Sequence, residues 1–117
     1  NAHLAIVEQE KVVAYLLNPA HPDNGGKASF FRTLGFDLDK WPVFATALRE
    51  LARVGEVVKT VESRHGNKYV VQGRIESPSG STPMIVSVWI VDRGLEVPRL
   101  VTAYPCAKNG SENDQGA

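Results

Sequence analysis

Lys68-Tyr-Val-Val-Gln-Gly-Arg-Ile-Glu76 decides the reading of the fold. Side chains of a strand alternate between two faces, so Tyr69, Val71 and Ile75 fall on one side and Lys68, Gln72 and Arg74 on the other. One wet face and one apolar face describe a strand of an antiparallel sheet packed against something on one side only. Downstream, Ser77-Pro-Ser-Gly80 is a turn signal, and Met84 to Val91 is a β-branched run followed by Asp92-Arg-Gly94. A last strand spans Arg99 to Tyr104 and ends at Pro105. Upstream, Glu56 to Arg64 alternates weakly and supplies the remaining strand.

Before Gly55 the period is helical. Val43, Phe44, Ala47, Leu48, Leu51 and Val54 recur at steps of three and four, with Arg49, Glu50 and Arg53 on the wet side. Asp39 reads as the N-cap of this helix and Pro42 lies near its first turn. A second helix runs from about Lys27 to Leu34, with Gly35 as its C′ residue. The first runs from about Glu8 to Leu17 and stops before Pro19. Helices first and then a meander predict an α+β domain, with two or three helices on one face of a four-stranded antiparallel sheet. The expected core sets Phe30, Phe31, Phe44, Leu48 and Leu51 against Tyr69, Val71, Val86 and Val88.

The chain has 117 residues and zero formal net charge, which suits one domain and offers no general field for polyanions. Residues 1–105 read as that domain. Residues 106–117 are small and polar and read as a disordered tail. Cys106 is the only cysteine, so neither an internal disulfide nor a cysteine-based zinc site is expected. His3, His21 and His65 lie far apart in sequence, and neither a metal nor a cofactor is predicted. No apolar run reaches the roughly 20 residues of a membrane helix, and the cytoplasm is the default compartment.

Two stretches carry the chemistry. Leu16-Leu-Asn-Pro-Ala-His-Pro-Asp-Asn-Gly-Gly-Lys-Ala-Ser-Phe-Phe31 joins two helices through a Pro- and Gly-constrained loop that presents His21 and Lys27. The plain alternative is a solvated helix connection. Arg64-His-Gly-Asn-Lys-Tyr69 clusters Arg64, His65 and Lys68 at one bend, with Arg74 further along the strand. A solvated sheet face explains this set without function. A functional face would also hold Ser87 and Trp89. Thr102 and Tyr104 point outward if Val101 and Ala103 are buried and inward if Leu100 is, while a bulge satisfies both demands. Such a polar floor suits phosphodiester chemistry, in which histidines exchange protons while Lys68, Arg64, Lys27 and Thr102 stabilise developing charge.

The runs Tyr15-Leu-Leu-Asn-Pro-Ala-His-Pro22, Gly26-Lys-Ala-Ser-Phe-Phe31, Arg64-His-Gly-Asn-Lys-Tyr69, Val88-Trp-Ile-Val91 and Pro98-Arg-Leu-Val-Thr-Ala-Tyr-Pro105 resemble an uncharacterised bacterial domain family. That family occurs as small stand-alone proteins and as C-terminal modules of polymorphic toxins. The helices-then-sheet order also resembles the barnase, EndoU, colicin and RelE ribonuclease superfamily. The resemblance implies metal-independent RNA cleavage, with tRNA a candidate substrate, and an antitoxin or immunity protein as partner. It points to His21, Lys27, Arg64, His65, Lys68, Arg99, Thr102 and Tyr104. With Arg74 and Trp89 added from the strand face, His21, Lys27, His65, Lys68 and Thr102 are the expected catalytic residues, and Arg64, Arg74, Arg99, Trp89 and Tyr104 the expected substrate-binding ones. The neutral charge departs from the basic character of such nucleases. A non-catalytic interaction module, with Trp89 and Tyr104 as anchors, is the competing expectation.

Overall fold

The structure is a computed structural model, and it describes residues 4–18, 20 and 26–106. His21 and the residues after Cys106 lie outside the described residues. Helix α1 (Gln9–Lys11) runs directly into a π-helical turn, Val12–Leu16. Leu17 N–H closes that turn on the Val12 carbonyl at 2.8 Å. The regular helix expected over this stretch is therefore widened. The widening lets the consecutive Leu16 and Leu17 both reach the core, and Val12 joins them.

Helix α2 (Lys27–Thr33) ends where Gly35 takes φ +95°. Gly35 N–H bonds Arg32 O at 2.9 Å and Phe36 N–H bonds Phe31 O at 3.3 Å, a Schellman pair that turns Phe36 inward. A 3₁₀ turn, Leu38–Lys40, leads into α3 (Trp41–Val54). Lys40 and not Asp39 is the N-cap, and no side chain caps it. Pro42, fixed in φ and without a donor to satisfy, starts the helix instead. Phe44, Ala45, Leu48 and Leu51 are the buried stripe of α3.

Four strands follow: β1 (Glu56–Ser63), β2 (Gly66–Arg74), β3 (Met84–Asp92) and β4 (Arg99–Pro105). They pair antiparallel in sequence order, β1-β2-β3-β4. The expected α+β architecture is observed, with the helices collected over one sheet face. Gly73 admits α3 closely, since a Cβ there would stand 2.8 Å from Leu51 Cδ1.

The register corrects one expectation. Tyr69 pairs with Trp89, Val71 with Ser87 and Gly73 with Ile85, so Ile85, Ser87 and Trp89 face the helices. Val86 and Val88, expected there, pair with Gln72 and Val70 and lie on the opposite face. Ser87 is fully buried on the helix face because its hydroxyl is satisfied twice. It donates to Val71 O at 3.0 Å and accepts from Trp89 Nε1 at 2.8 Å. Phe30, expected in the core, is half-buried at its margin.

In β4 the pairing shifts between Val88 and Trp89, so that Leu100 opposes Trp89 while Thr102 opposes Val88. Val101 is the extra residue. Leu100 and Ala103 are both buried as a result. Thr102 and Tyr104, paired with Val88 and Val86, stand at the outer margin of the sheet, where the helical region reaches Thr102. The edge of β4 is covered at its start by Ile6, which accepts from Leu100 N–H at 2.9 Å and donates to Pro98 O at 2.8 Å. Cys106 closes the described chain as part of the body, buried and bonded from its N–H to Met84 O at 3.0 Å.

Candidate functional site

Polar side chains from the π-helical turn, α2 and β4 meet at the β4 margin. Gly26 stands at φ +87°, a left-handed conformation that favours glycine, and starts α2 at Lys27. The Lys27 side chain runs back to the π-helical turn, where its ammonium donates to Tyr15 Oη at 2.5 Å. It also donates to Thr102 Oγ1 at 3.2 Å. The Tyr15 and Thr102 hydroxyls are 3.4 Å apart and close the triangle. Residues 75 and 87 positions apart in sequence are thus joined by a single ammonium and a single phenol.

Two cations flank the Tyr15 ring. Lys27 Nζ lies 4.9 Å from the ring centre and Lys11 Nζ 5.4 Å. Tyr104, about a third exposed, sits 6.0 Å from Lys27 Nζ on the far side. Burial raises the Tyr15 phenol, but the hydrogen bonds from Lys27 and Thr102 and the charges of Lys27 and Lys11 outweigh it. The net result is a pKa below the ordinary tyrosine value. An open groove of about 630 Å³ adjoins the triangle, lined by Glu8, Glu10, Lys11, Ala14, Tyr15, Val101 and Thr102. A ligand entering it meets the Tyr15 and Thr102 hydroxyls, the Lys11 ammonium and the carboxylates of Glu8 and Glu10. Lys27 reaches the groove only through its bonds to the two hydroxyls.

The structure brings together Lys27, Thr102 and Tyr104 of the residues named from sequence. It does not bring His65 to them. His65 is exposed in the β1–β2 turn, its N–H bonded to Ser63 Oγ at 3.2 Å. Strand spacing and rise put it on the order of 20 Å from Thr102. Arg64 shares that turn, exposed, and its carbonyl accepts from Arg93 Nη1 at 3.2 Å. Lys68 is exposed on the open face of β2. Arg74 is at the other end of that strand, donating to Thr82 O at 2.8 Å. Arg99 is paired with Asp92 at 3.1 Å.

Trp89 is the clear correction. At 1% exposure it belongs to the core, so it neither stacks a base nor anchors a partner. The register with Tyr69 is the reason, since it turns the indole toward the helices. Tyr15 is the residue that sequence reasoning missed. The sequence reading gives it no role of its own, although Lys11 four residues earlier shares its helical face and signals polar use. Among the described residues no three His, Cys, Asp or Glu side chains gather as metal ligands. Among the same residues no helix is long and apolar enough to cross a membrane.

A family model described as Domain of unknown function (DUF6883) matches residues 1–107. Among solved structures, the chain is similar to one from the "Contact-dependent growth inhibition toxin - immunity protein complex from Klebsiella pneumoniae 342". The TM-score is 0.71 at 17% identity, over 87% of this chain and 100% of that one. At that identity the likeness is one of fold. No curated protein matches the sequence.

Proposed function

The chain belongs to the family Domain of unknown function (DUF6883), and we propose that it is a metal-independent endoribonuclease, the toxic half of a pair with a cognate immunity protein or antitoxin. The observation that carries this reading is the Lys27–Tyr15–Thr102 triangle. RNA cleavage of this class needs no redox chemistry. The 2′-hydroxyl gives its proton to a base and its oxygen bonds to phosphorus. The P–O5′ bond then breaks, and a proton passes to the leaving oxygen. The Lys27 ammonium and the Thr102 hydroxyl are the donors for the non-bridging phosphate oxygens. The Tyr15 phenol, its pKa lowered by those same neighbours, is the proton carrier. Tyr104, exposed beside Lys27, supplies a face on which a base stacks.

His65, Arg64 and Lys68 lie apart from this centre and are assigned to contacts with the RNA backbone. Zero net charge favours a dedicated acceptor such as a tRNA loop over bulk RNA, whose capture depends on general electrostatic attraction. A structural neighbour drawn from a toxin–immunity complex supports the protein partner. The second reading, a non-catalytic interaction module, is favoured by the bare β1 strand, all eight of whose residues are exposed.

Purified protein is expected to cleave single-stranded RNA or tRNA in the presence of EDTA. The 5′ fragments end in a 2′,3′-cyclic phosphate and DNA of the same sequence stays intact. RNA that remains whole, or products ending in a 3′-hydroxyl, would overturn the reading.

A further inference from the structure

The two sheet margins are treated unequally. Side chains and Ile6 cover β4, whereas β1 pairs with β2 alone and presents its other side to solvent. Such an edge is a row of unpaired donors and acceptors, which soluble proteins usually shield. Here it is eight residues long, without proline, and Val57, Val58 and Val61 are 55%, 47% and 41% exposed. Beside Val57 an apolar groove of about 450 Å³, floored by Trp89 and Tyr69, is left open beyond the end of α3.

The charges on β1 discriminate between occupants. The pairing with β2 shifts at Val58 and is regular from Lys59 to Ser63, so the charges of the regular stretch are Lys59 and Glu62. Residues that oppose each other in an antiparallel pair share a face, so a copy can pair with itself only in registers centred on a residue. Centred on Lys59, that lysine opposes its own copy. Centred on Thr60, the two lysines are diagonal neighbours on one face. A register centred on Val61 makes the two Glu62 side chains diagonal neighbours, and one centred on Glu62 sets them directly opposite. Like charges in these positions are destabilising, so β1 is patterned against its own copy.

We infer that β1 is the docking edge for an extended strand of a second protein, one that places a carboxylate opposite Lys59 and a guanidinium or ammonium opposite Glu62. Backbone hydrogen bonds along the edge supply attraction, and the two charges set register and exclude the self-paired form. The inference rests on the proposed reading only in that a protein partner exists, and it is independent of RNA cleavage.

The probe is a capped eight-residue peptide of alternating valine and threonine. It carries glutamate where it meets Lys59 and arginine where it meets Glu62. With saturating peptide, backbone amide exchange by NMR is expected to slow at alternate residues of β1 and nowhere on β4. A peptide with the two charges swapped binds roughly threefold or more weakly, and the Lys59→Glu/Glu62→Lys variant reverses that preference. Cleavage of RNA by the double variant is unchanged, so failure of the ribonuclease reading leaves this result standing. No slowing in β1, equal binding of the two peptides, or a dimer of the free chain with β1 amides already protected would overturn the inference.

Discussion

The margins of the sheet, β4 and β1, are built from opposite materials. At β4 a bulge at Val101 turns Thr102 outward while Leu100 and Ala103 stay buried. The helical region then lays Tyr15 and Lys27 over that hydroxyl. At β1 all eight residues are exposed, and the strand keeps valines and alternating charges in water. The difference fits the two proposals made for this chain, ribonuclease chemistry at β4 and strand addition at β1. Chemistry needs groups fixed by several elements at once, and β4 is where α1, α2 and the sheet meet. Recognition by strand addition needs the reverse, a length of backbone that no other element has claimed.

Both margins depend on one core, and the largest effect is expected there. Phe44 is fully buried between Phe31 and Phe36, with ring centres 4.6 Å and 4.5 Å away. Phe44→Ala is expected to cost about 3–5 kcal/mol in denaturant unfolding. A loss below about 1 kcal/mol would mean that the margins are not held from this centre.

Smaller and confined to β4 is the effect of Tyr15→Phe. It removes the hydroxyl shared by Lys27 and Thr102 and should cost about 1–2 kcal/mol. An unchanged unfolding midpoint would show the triangle to be no more than a surface arrangement.

Next comes a titration of the same phenol. Because the Tyr15 phenol is held below the ordinary tyrosine value of 10.0, the contribution of its ionisation to stability is present above pH 10. It is lost as the pH falls through the lowered folded value. The tyrosinate absorbance difference between the native chain and Tyr15→Phe should have its midpoint below 10.0, and Lys27→Met should move it upward. A midpoint that Lys27→Met leaves in place would detach the ammonium from the phenol.

The smallest effect belongs to β1. Val61→Thr, on an exposed strand, should change stability by no more than about 0.5 kcal/mol. A cost like that of Tyr15→Phe would erase the contrast between the margins.

Much of the fold is legible in the sequence because its signals are local. The switch of period at Gly55, the Phe44–Leu48–Leu51 stripe and the alternation of Lys68 to Glu76 each predict their element. Met84 to Val91 carries no such signal, being apolar on both faces, so its orientation hangs on whether Ser87 is buried. A buried serine looks improbable until its partners, Val71 O and the Trp89 indole, are known. The site divides in the same way. Lys27, Thr102 and Tyr104 were nameable by residue type, and the bulge was foreseeable from conflicting demands on Leu100 and Ala103. Tyr15 was not, because its partner Thr102 is 87 residues away. His65 is a natural candidate because an imidazole is a good proton carrier wherever it stands, and only the sheet register reveals its distance from Thr102.

The most direct test of the account compares single-turnover cleavage of tRNA or single-stranded RNA, in EDTA, by the native chain, Lys27→Met and His65→Ala. All three should share the same circular dichroism spectrum. With the reacting groups gathered at β4, Lys27→Met is predicted to lose roughly 10²–10⁴-fold in rate and His65→Ala to stay within roughly tenfold of the native chain. Retained cleavage in Lys27→Met together with a 10²–10⁴-fold loss in His65→Ala, the usual size of a positioned acid or base effect, would contradict it and move the chemistry to the β1–β2 turn.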